Sequence, residues 1–320
     1  MLFRSGLDLH GTRWRIAASR HLRRQLDDLR RREDIGAVVV NTQSMGLELE
    51  GLPPGMPVFV ALDATFRQLA ESPWFAPNRL SRWLQPMTLR GLLRRERELF
   101  ARATKLLPWS EPVAASLRRD HGVSDQRITV LPPSLSLPPR RETRPPNIRP
   151  QLLFLGGDFA RKGGPLLRGC FERHFSGRCD LHIVTQGDVP AGPAVFVHRG
   201  VTAGSGAWLR RWHEADVFVF PSRLETFGIV LLEALAFEVP VIASDAGAAR
   251  SILSEGDCGR LLPGLSEPAL CSALSEVLAD PAGAAARARR GRARVERGFD
   301  LADNTDRLVG LLRAAVTPAR

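Results

Sequence analysis

Short unbroken apolar runs, rather than alternating ones, recur along this chain. Ala37–Asn41 (AVVVN), Pro57–Leu62 (PVFVAL), residues 151–156, 180–185 and 194–198, Asp216–Phe220 (DVFVF) and Val239–Ala243 (VPVIA) each suit a strand buried on both faces of a parallel sheet. Stretches of helical period separate them: 13–34, 78–105, 163–175, 205–214, an almost wholly apolar one from Gly228 to Phe237 (GIVLLEALAF), more up to Phe299, and a last one over 301–315. Strands alternating with helices predict an α/β chain built on parallel sheets. The stretch 78–105 is expected to break near Pro86, and after the strand-like 106–110 a helix, a turn and a final strand fill 111–135. Seven prolines between Pro132 and Pro150 mark a linker. The expected division is therefore 1–148, 149–300 and a closing helical segment 301–320.

Length agrees with this division. With 320 residues, 44% of them hydrophobic and 25% charged, the chain can fill two α/β cores. No apolar run approaches the ~18 to 20 residues of a membrane span, and MLFRSGLDLHGTRW has no apolar leader region, so a cytoplasmic place is expected. Cys170, Cys179, Cys258 and Cys271 have no metal-site spacing and read as free buried thiols.

Charge changes the picture in the first half. The net charge of +11 sits almost wholly before residue 150, at +10 against +1 for the remainder, and only Lys105 and Lys162 among the 45 basic residues are lysines. Residues 13–34 read as a basic amphipathic helix with Trp14, Ile16, Ala17, Leu22, Leu26 and Leu29 apolar, and 90–102 is Arg-rich around Leu92 and Leu93. Solvated helix faces explain these segments plainly. The other reading is a peripheral contact with an anionic membrane at its inner face, or a hold on an acidic acceptor. Nucleic acid is the weakest reading, since aromatic stacking platforms are missing among the arginines.

The stretch Ala215–Leu253 concentrates the chemistry. Its apolar helix carries one charge, Glu233, and Glu225 lies eight positions earlier in the loop that feeds the helix N-terminus. A surface acid and a helix-dipole partner would explain the two plainly. Set beside Thr226-Phe227-Gly228, which lets backbone approach a ligand, and a helix N-terminus, which favours phosphate, the pair instead suits hydroxyls of a sugar phosphate. Lys162 stands in a second Gly-rich turn, FLGGDFARKGG, where a compact ammonium suits phosphate. P-loop, dinucleotide, nucleophile-elbow and D-x-D patterns are all missing from the sequence.

Glu225 to Glu233 (ETFGIVLLE), with ADVFVFPS before it, EALAFEVPVIASDAG after it and FLGGDFARKGG upstream, resembles the Glu, seven residues, Glu motif of retaining glycosyltransferase family 4. The resemblance covers about 105–300 and little before. It implies the GT-B fold, two Rossmann-like domains with parallel sheets facing across a cleft, and transfer of a sugar from a nucleoside diphosphate-sugar donor, with retention and without metal or other cofactor. The acceptor is open: a glycan, a lipid-linked molecule or a small molecule. Residue by residue it implies Glu225 and Lys162 at the reacting sugar phosphate. Backbone amides of Phe227, Gly228 and Ile229 support them, the helix starting near Val230 faces the diphosphate, and Glu233 takes the ribose. Gln186, Gly187 and Arg199 border the base. Where the family has Gly-Arg this chain has Gly156-Gly157, with Arg161 as the substitute phosphate contact. The family's opening strand, Gly-rich loop and helix are not found before Ala37, so an incomplete N-terminal domain is expected, and a non-catalytic donor-binding homologue is the alternative.

Overall fold

The computed structural model describes residues 9–49, 51–71, 79–140 and 147–316, with side chains described from 13 onward except at 79–88. The chain divides into two compact units, Met1–Pro133 with Asp303–Arg320, and Ser134–Ala302. The division falls ahead of most of the proline-rich run.

The first unit holds α1 (Leu9–Arg30), β1 (Val38–Asn41), β2 (Val58–Leu62), α2 (Phe66–Glu71), α3 (Arg79–Arg102), β3 (Lys105–Pro108) and α4 (Glu111–His121). Its strands pair in parallel in the order β1-β2-β3, with Val38 opposite Val58 and Phe59 opposite Lys105. Central β2 is buried on both faces, which explains its continuous apolar run, and Val58, Val60 and Leu62 pack with Leu99, Phe100, Leu106 and Leu117. The expected last strand is an extended segment alongside β3, where the amides of Thr129 and Leu131 donate to Leu106 and Pro108 at 3.0 Å each.

Two expectations change here. Helix α3 runs unbroken over Pro86 although an interior proline removes a backbone donor and crowds the preceding turn, and its C-terminal half is held by buried Leu92, Leu99 and Phe100. Trp83 and Leu84 lie outside the described side chains. On α1, Leu26 packs on the core, but Trp14 (57% exposed), Leu22 and Leu29 face solvent.

The second unit holds β4 (Gln151–Leu155), α5 (Gly164–His174), β5 (Asp180–Val184), β6 (Val195–His198), α6 (Gly206–Glu214), β7 (Val217–Phe220), α7 (Ile229–Ala236), β8 (Val241–Ala243), α8 (Ala249–Ile252), β9 (Arg260–Leu261), α9 (Glu267–Ala279) and α10 (Pro281–Gly298). After it comes α11 (Leu301–Val316), most of which belongs to the first unit. Six parallel strands stand in the order β6-β5-β4-β7-β8-β9. The order runs outward in one direction from β4 and in the other from β7, so the chain reverses between these neighbours. In open parallel sheets such a switch leaves a crevice at the carboxyl ends of the two central strands.

The cysteines also depart from expectation. Cys170 on α5 and Cys271 on α9 form a disulfide with Cα atoms 6.4 Å apart, while Cys179 and Cys258 are free and buried. The partners are 101 residues apart in sequence and meet only because α5 and α9 pack together.

Candidate functional site

The loop leaving β4 is a tight double turn. Lys162 N donates to Asp158 O at 3.0 Å, Gly164 N to Phe159 O at 2.8 Å, and the Asp158 carboxylate accepts from Arg161 N at 3.0 Å. Gly163 then caps α5 with φ +77°, and a Cβ there would overlap the carbonyl oxygen of Pro221, the first residue after β7. Only glycine satisfies both demands. The close approach draws the loops after β4 and β7 together at the switch point.

There Lys162 meets Glu225. The Lys162 ammonium is ion-paired with Glu225 Oε2, both side chains largely buried, and lies 5.3 Å from the centroid of the Phe220 ring. Glu225 Oε1 accepts from Thr226 N at 3.1 Å. Taking both charges out of water is costly unless each finds a partner, and these two supply one another. Arg161 serves the loop: its guanidinium donates to Leu224 O at 2.9 Å and stands 3.6 Å from Asp158, and its carbonyl accepts from Arg223 N at 2.9 Å. Ser222 and Ser244, which sequence reading missed, brace the same segment. Ser244 Oγ donates to Ser222 O at 2.7 Å and Ser222 Oγ to Leu224 O at 2.9 Å. Nothing in their sequence context marks them.

Helix α7 opens at Gly228, which has φ +102° and gives no side-chain cap. Its first-turn amides therefore have no side-chain acceptor, and Ile229 and Val230 stand at that exposed end. Phe227 is buried, and its carbonyl accepts from Ala248 N at 3.3 Å. Gly247, at φ +61°, is packed so closely that a Cβ would come within 2.7 and 2.8 Å of the carbonyl oxygens of Glu225 and Thr226. One turn into α7, Glu233 is set among buried Leu231, Leu232 and Ala234. Burial pushes its carboxyl up to about 7, and no side chain or amide of the described residues meets it.

The remaining expected residues lie at the same edge of the sheet, because parallel strands put all their carboxyl ends together. Gly157 follows β4, Gln186 and Gly187 follow β5, and Arg199 follows β6. Buried Thr185 ties two of these loops, its hydroxyl accepting from Gly187 N at 3.1 Å and donating to Gly157 O at 3.4 Å. Gln186 is exposed, and Arg199 donates to Asp188 at 3.1 Å and to Val189 O at 3.0 Å. His182 and His198 form a second cluster that sequence reading missed. Their rings stack, and Arg211 donates to His182 Nδ1 at 2.7 Å, which requires an unprotonated nitrogen there. Burial, aided by Arg211, pulls the His182 imidazole down to about 4.

Residues 207–294, which contain the loop after β7 and all of α7, match the family model described as glycosyl transferases group 1. The chain is similar to a phosphatidyl-myo-inositol mannosyltransferase of Mycobacterium leprae, 36% identical over 151 residues, or 42% of this chain and 38% of the relative. It is also similar to a D-inositol 3-phosphate glycosyltransferase of Nocardiopsis dassonvillei, 27% identical over 71% of this chain and 59% of the relative. The chain thus spans less than two thirds of the length of these relatives. Among solved structures, sucrose-phosphate synthase from Thermosynechococcus elongatus superposes with a TM-score of 0.70 at 20% identity, covering 87% of this chain and 73% of that one. A likeness at that identity is one of fold, and the fold is that of the GT-B class: α/β units built on parallel sheets.

Proposed function

We propose that this chain is a glycosyltransferase of the retaining family 4 type, moving a sugar from a nucleoside diphosphate-sugar to an acceptor without a metal. The observation that carries the reading is the meeting of Lys162 and Glu225 at the switch point, beside the uncapped N-terminus of α7.

In the free protein each charge holds the other. An arriving diphosphate offers the Lys162 ammonium a new partner, which releases Glu225 to accept hydrogen bonds from the sugar hydroxyls. Negative charge grows on the leaving diphosphate as the sugar–phosphate bond breaks. A fixed ammonium and the first-turn amides of α7 stabilise it without reorganising, and this is the largest rate term expected. Amides of Phe227, Gly228 and Ile229 support the sugar side, and Val230 opens the helix that faces the diphosphate. Glu233, which meets no partner among the described residues, takes the ribose hydroxyls. Gly157 lets the diphosphate approach, Arg161 keeps the Glu225 loop in place, and Gln186, Gly187 and Arg199 border the base.

For the acceptor we favour a lipid-linked or otherwise acidic molecule at the cytoplasmic face of a membrane. Trp14, Leu22 and Leu29 stand exposed on α1 among arginines, an arrangement suited to an anionic surface, and no helix of the described residues is long and apolar enough to cross a membrane.

The test is donor turnover by the full chain. A panel of nucleoside diphosphate-sugars, with and without anionic-lipid acceptors, is scored for released nucleoside diphosphate, and the anomeric form of the product is read by NMR. One donor should turn over with retention, and Glu225→Gln should abolish it. Tight donor binding without release would favour the non-catalytic homologue, and no binding of any donor would overturn the reading.

A further inference from the structure

The C-terminal end of α5 carries a second arrangement, independent of the loops at its other end. Cys170 and His174 are four residues apart on α5, and Glu267 and Cys271 are four residues apart on α9. That spacing sets each pair on one helix face, and the two faces meet. A ring nitrogen of His174, a carboxylate oxygen of Glu267 and Sγ of Cys271 all lie within 4.8 Å of one another. Nε2 of His174 is 3.1 Å from Glu267 Oε1, and Sγ of Cys170 is bonded to that of Cys271. Two thiolates, one imidazole and one carboxylate are the ligand types that zinc takes, and four of them around one cation stand roughly 3.3 to 3.8 Å apart, given zinc bonds of about 2.0 to 2.3 Å. His174 and Glu267, at 3.1 Å, stand close to that range, Cys271 lies within the same 4.8 Å group, and Cys170, outside that group, can join it only once its bond to Cys271 is broken.

We propose that Cys170, His174, Glu267 and Cys271, with both thiols reduced, form a tetrahedral zinc site that clips α5 to α9. The disulfide is the oxidised alternative of the same residues. A dithiol reductant converts it to two thiols, becoming a disulfide itself, and zinc then displaces one proton from each sulfur into solvent. Arg173 is the competitor: it donates to both oxygens of Glu267, at 2.7 Å from Nε, and its side chain is 58% exposed, so it can swing away when the carboxylate turns to the cation.

The experiment uses tag-free full chain, reduced by a phosphine under nitrogen and titrated with Co2+ and then Zn2+. One equivalent of Co2+ should give the intense visible bands of a tetrahedral site together with thiolate-to-cobalt charge transfer, and Zn2+ should displace it. His174→Ala, at an exposed position where folding is not at stake, and Cys271→Ser should each weaken binding by at least ~10-fold, since each removes a direct ligand. Arg173→Ala should tighten it, and the disulfide form should give no charge transfer. A doubly substituted Cys179→Ser, Cys258→Ser chain should bind as the unaltered one does. The proposal is overturned if the reduced chain shows no tetrahedral spectrum, if the spectrum survives His174→Ala and Cys271→Ser, or if it vanishes in the double variant.

Discussion

Glu96 in the first unit is fully buried and Glu233 in the second partly so, and desolvation is the first cause that pushes each carboxyl up to about 7. They differ in what meets them. Glu96 Oε1 accepts from Phe66 N, at the start of α2, at 2.8 Å and faces Gln43 Nε2 at 3.4 Å, while Oε2 stands 3.7 Å from His121 without a hydrogen bond. Burial lowers the His121 imidazole, which is therefore uncharged at neutral pH, so the two do not form an ion pair there. Glu233 meets no donor among the described residues. A raised carboxyl therefore marks burial and nothing more, and the donors around it decide its use. Glu96 spends its lone pairs on a helix start inside the fold, whereas those of Glu233 are left open to the ligand proposed above.

The largest effect that can break this comparison is one of stability. The folded-state value of Glu96, about 7, lies above its ordinary 4.5, so the folded chain holds a proton there that the unfolded chain releases. Its contribution is fully present below pH 4.5 and is lost as pH rises to about 7. Glu96→Gln keeps an acceptor for Phe66 N and has no proton to lose. By urea denaturation it should gain up to about 3 kcal/mol relative to the unaltered chain between pH 5 and pH 8, from about 1.4 kcal/mol per unit. A parallel pH dependence in both chains would show that the carboxyl is not buried as described. Donor affinity should stay within about twofold.

Next come the paired residues at the switch point. Lys162→Ala and Glu225→Gln should each lower turnover by at least ~100-fold, about 2.7 kcal/mol of transition-state stabilisation, measured on folded protein because each also strands the buried charge of its partner and lowers the urea midpoint. Near-normal rates would refute the site. Glu233 sharpens the contrast through pH. If its carboxylate accepts ribose hydroxyls, donor binding must expel a proton below about pH 7. The donor dissociation constant should then rise about tenfold per unit as pH falls, and Glu233→Gln should be weaker by about tenfold at pH 8 and flat with pH. Calorimetry at pH 5.5 and 8 decides it, since a slope that persists in the variant belongs to another group. The smallest effect concerns α1. Each well-placed arginine contributes about 1 kcal/mol near an anionic surface and is screened over about 8 Å at physiological salt, so sedimentation with phosphatidylglycerol vesicles should fall as salt is added. Equal binding to neutral vesicles would sink the membrane reading.

What could be read ahead of the structure follows from the same physics. Strands buried on both faces leave continuous apolar runs, so β2, β4, β7 and β8 were legible, whereas the two-residue β9 has too little sequence to leave a pattern. Glycines and a solitary acid pointed to Lys162, Glu225 and Glu233, since each stands out against apolar or Arg-rich surroundings. Their meeting was not legible: Lys162 and Glu225 are 63 residues apart and come together only through the strand order. The Cys170–Cys271 bond was hidden for the same reason. Glu96 sits in an Arg-rich helical stretch (RRERELF) where an acid looks solvated, and nothing local reveals that it turns inward.

Gly247 shows how such hidden geometry would enter a mutational survey. In a saturation scan scored only by product formed, position 247 should be depleted of every substitution, as strongly as a residue that touches the donor. A side chain there would push the backbone of Glu225 and Thr226. Scoring the same library for soluble, folded protein would separate the two causes. Variants at 247 that fold yet fail to turn over would mean that the loop carrying Glu225 has moved while the rest of the unit stands.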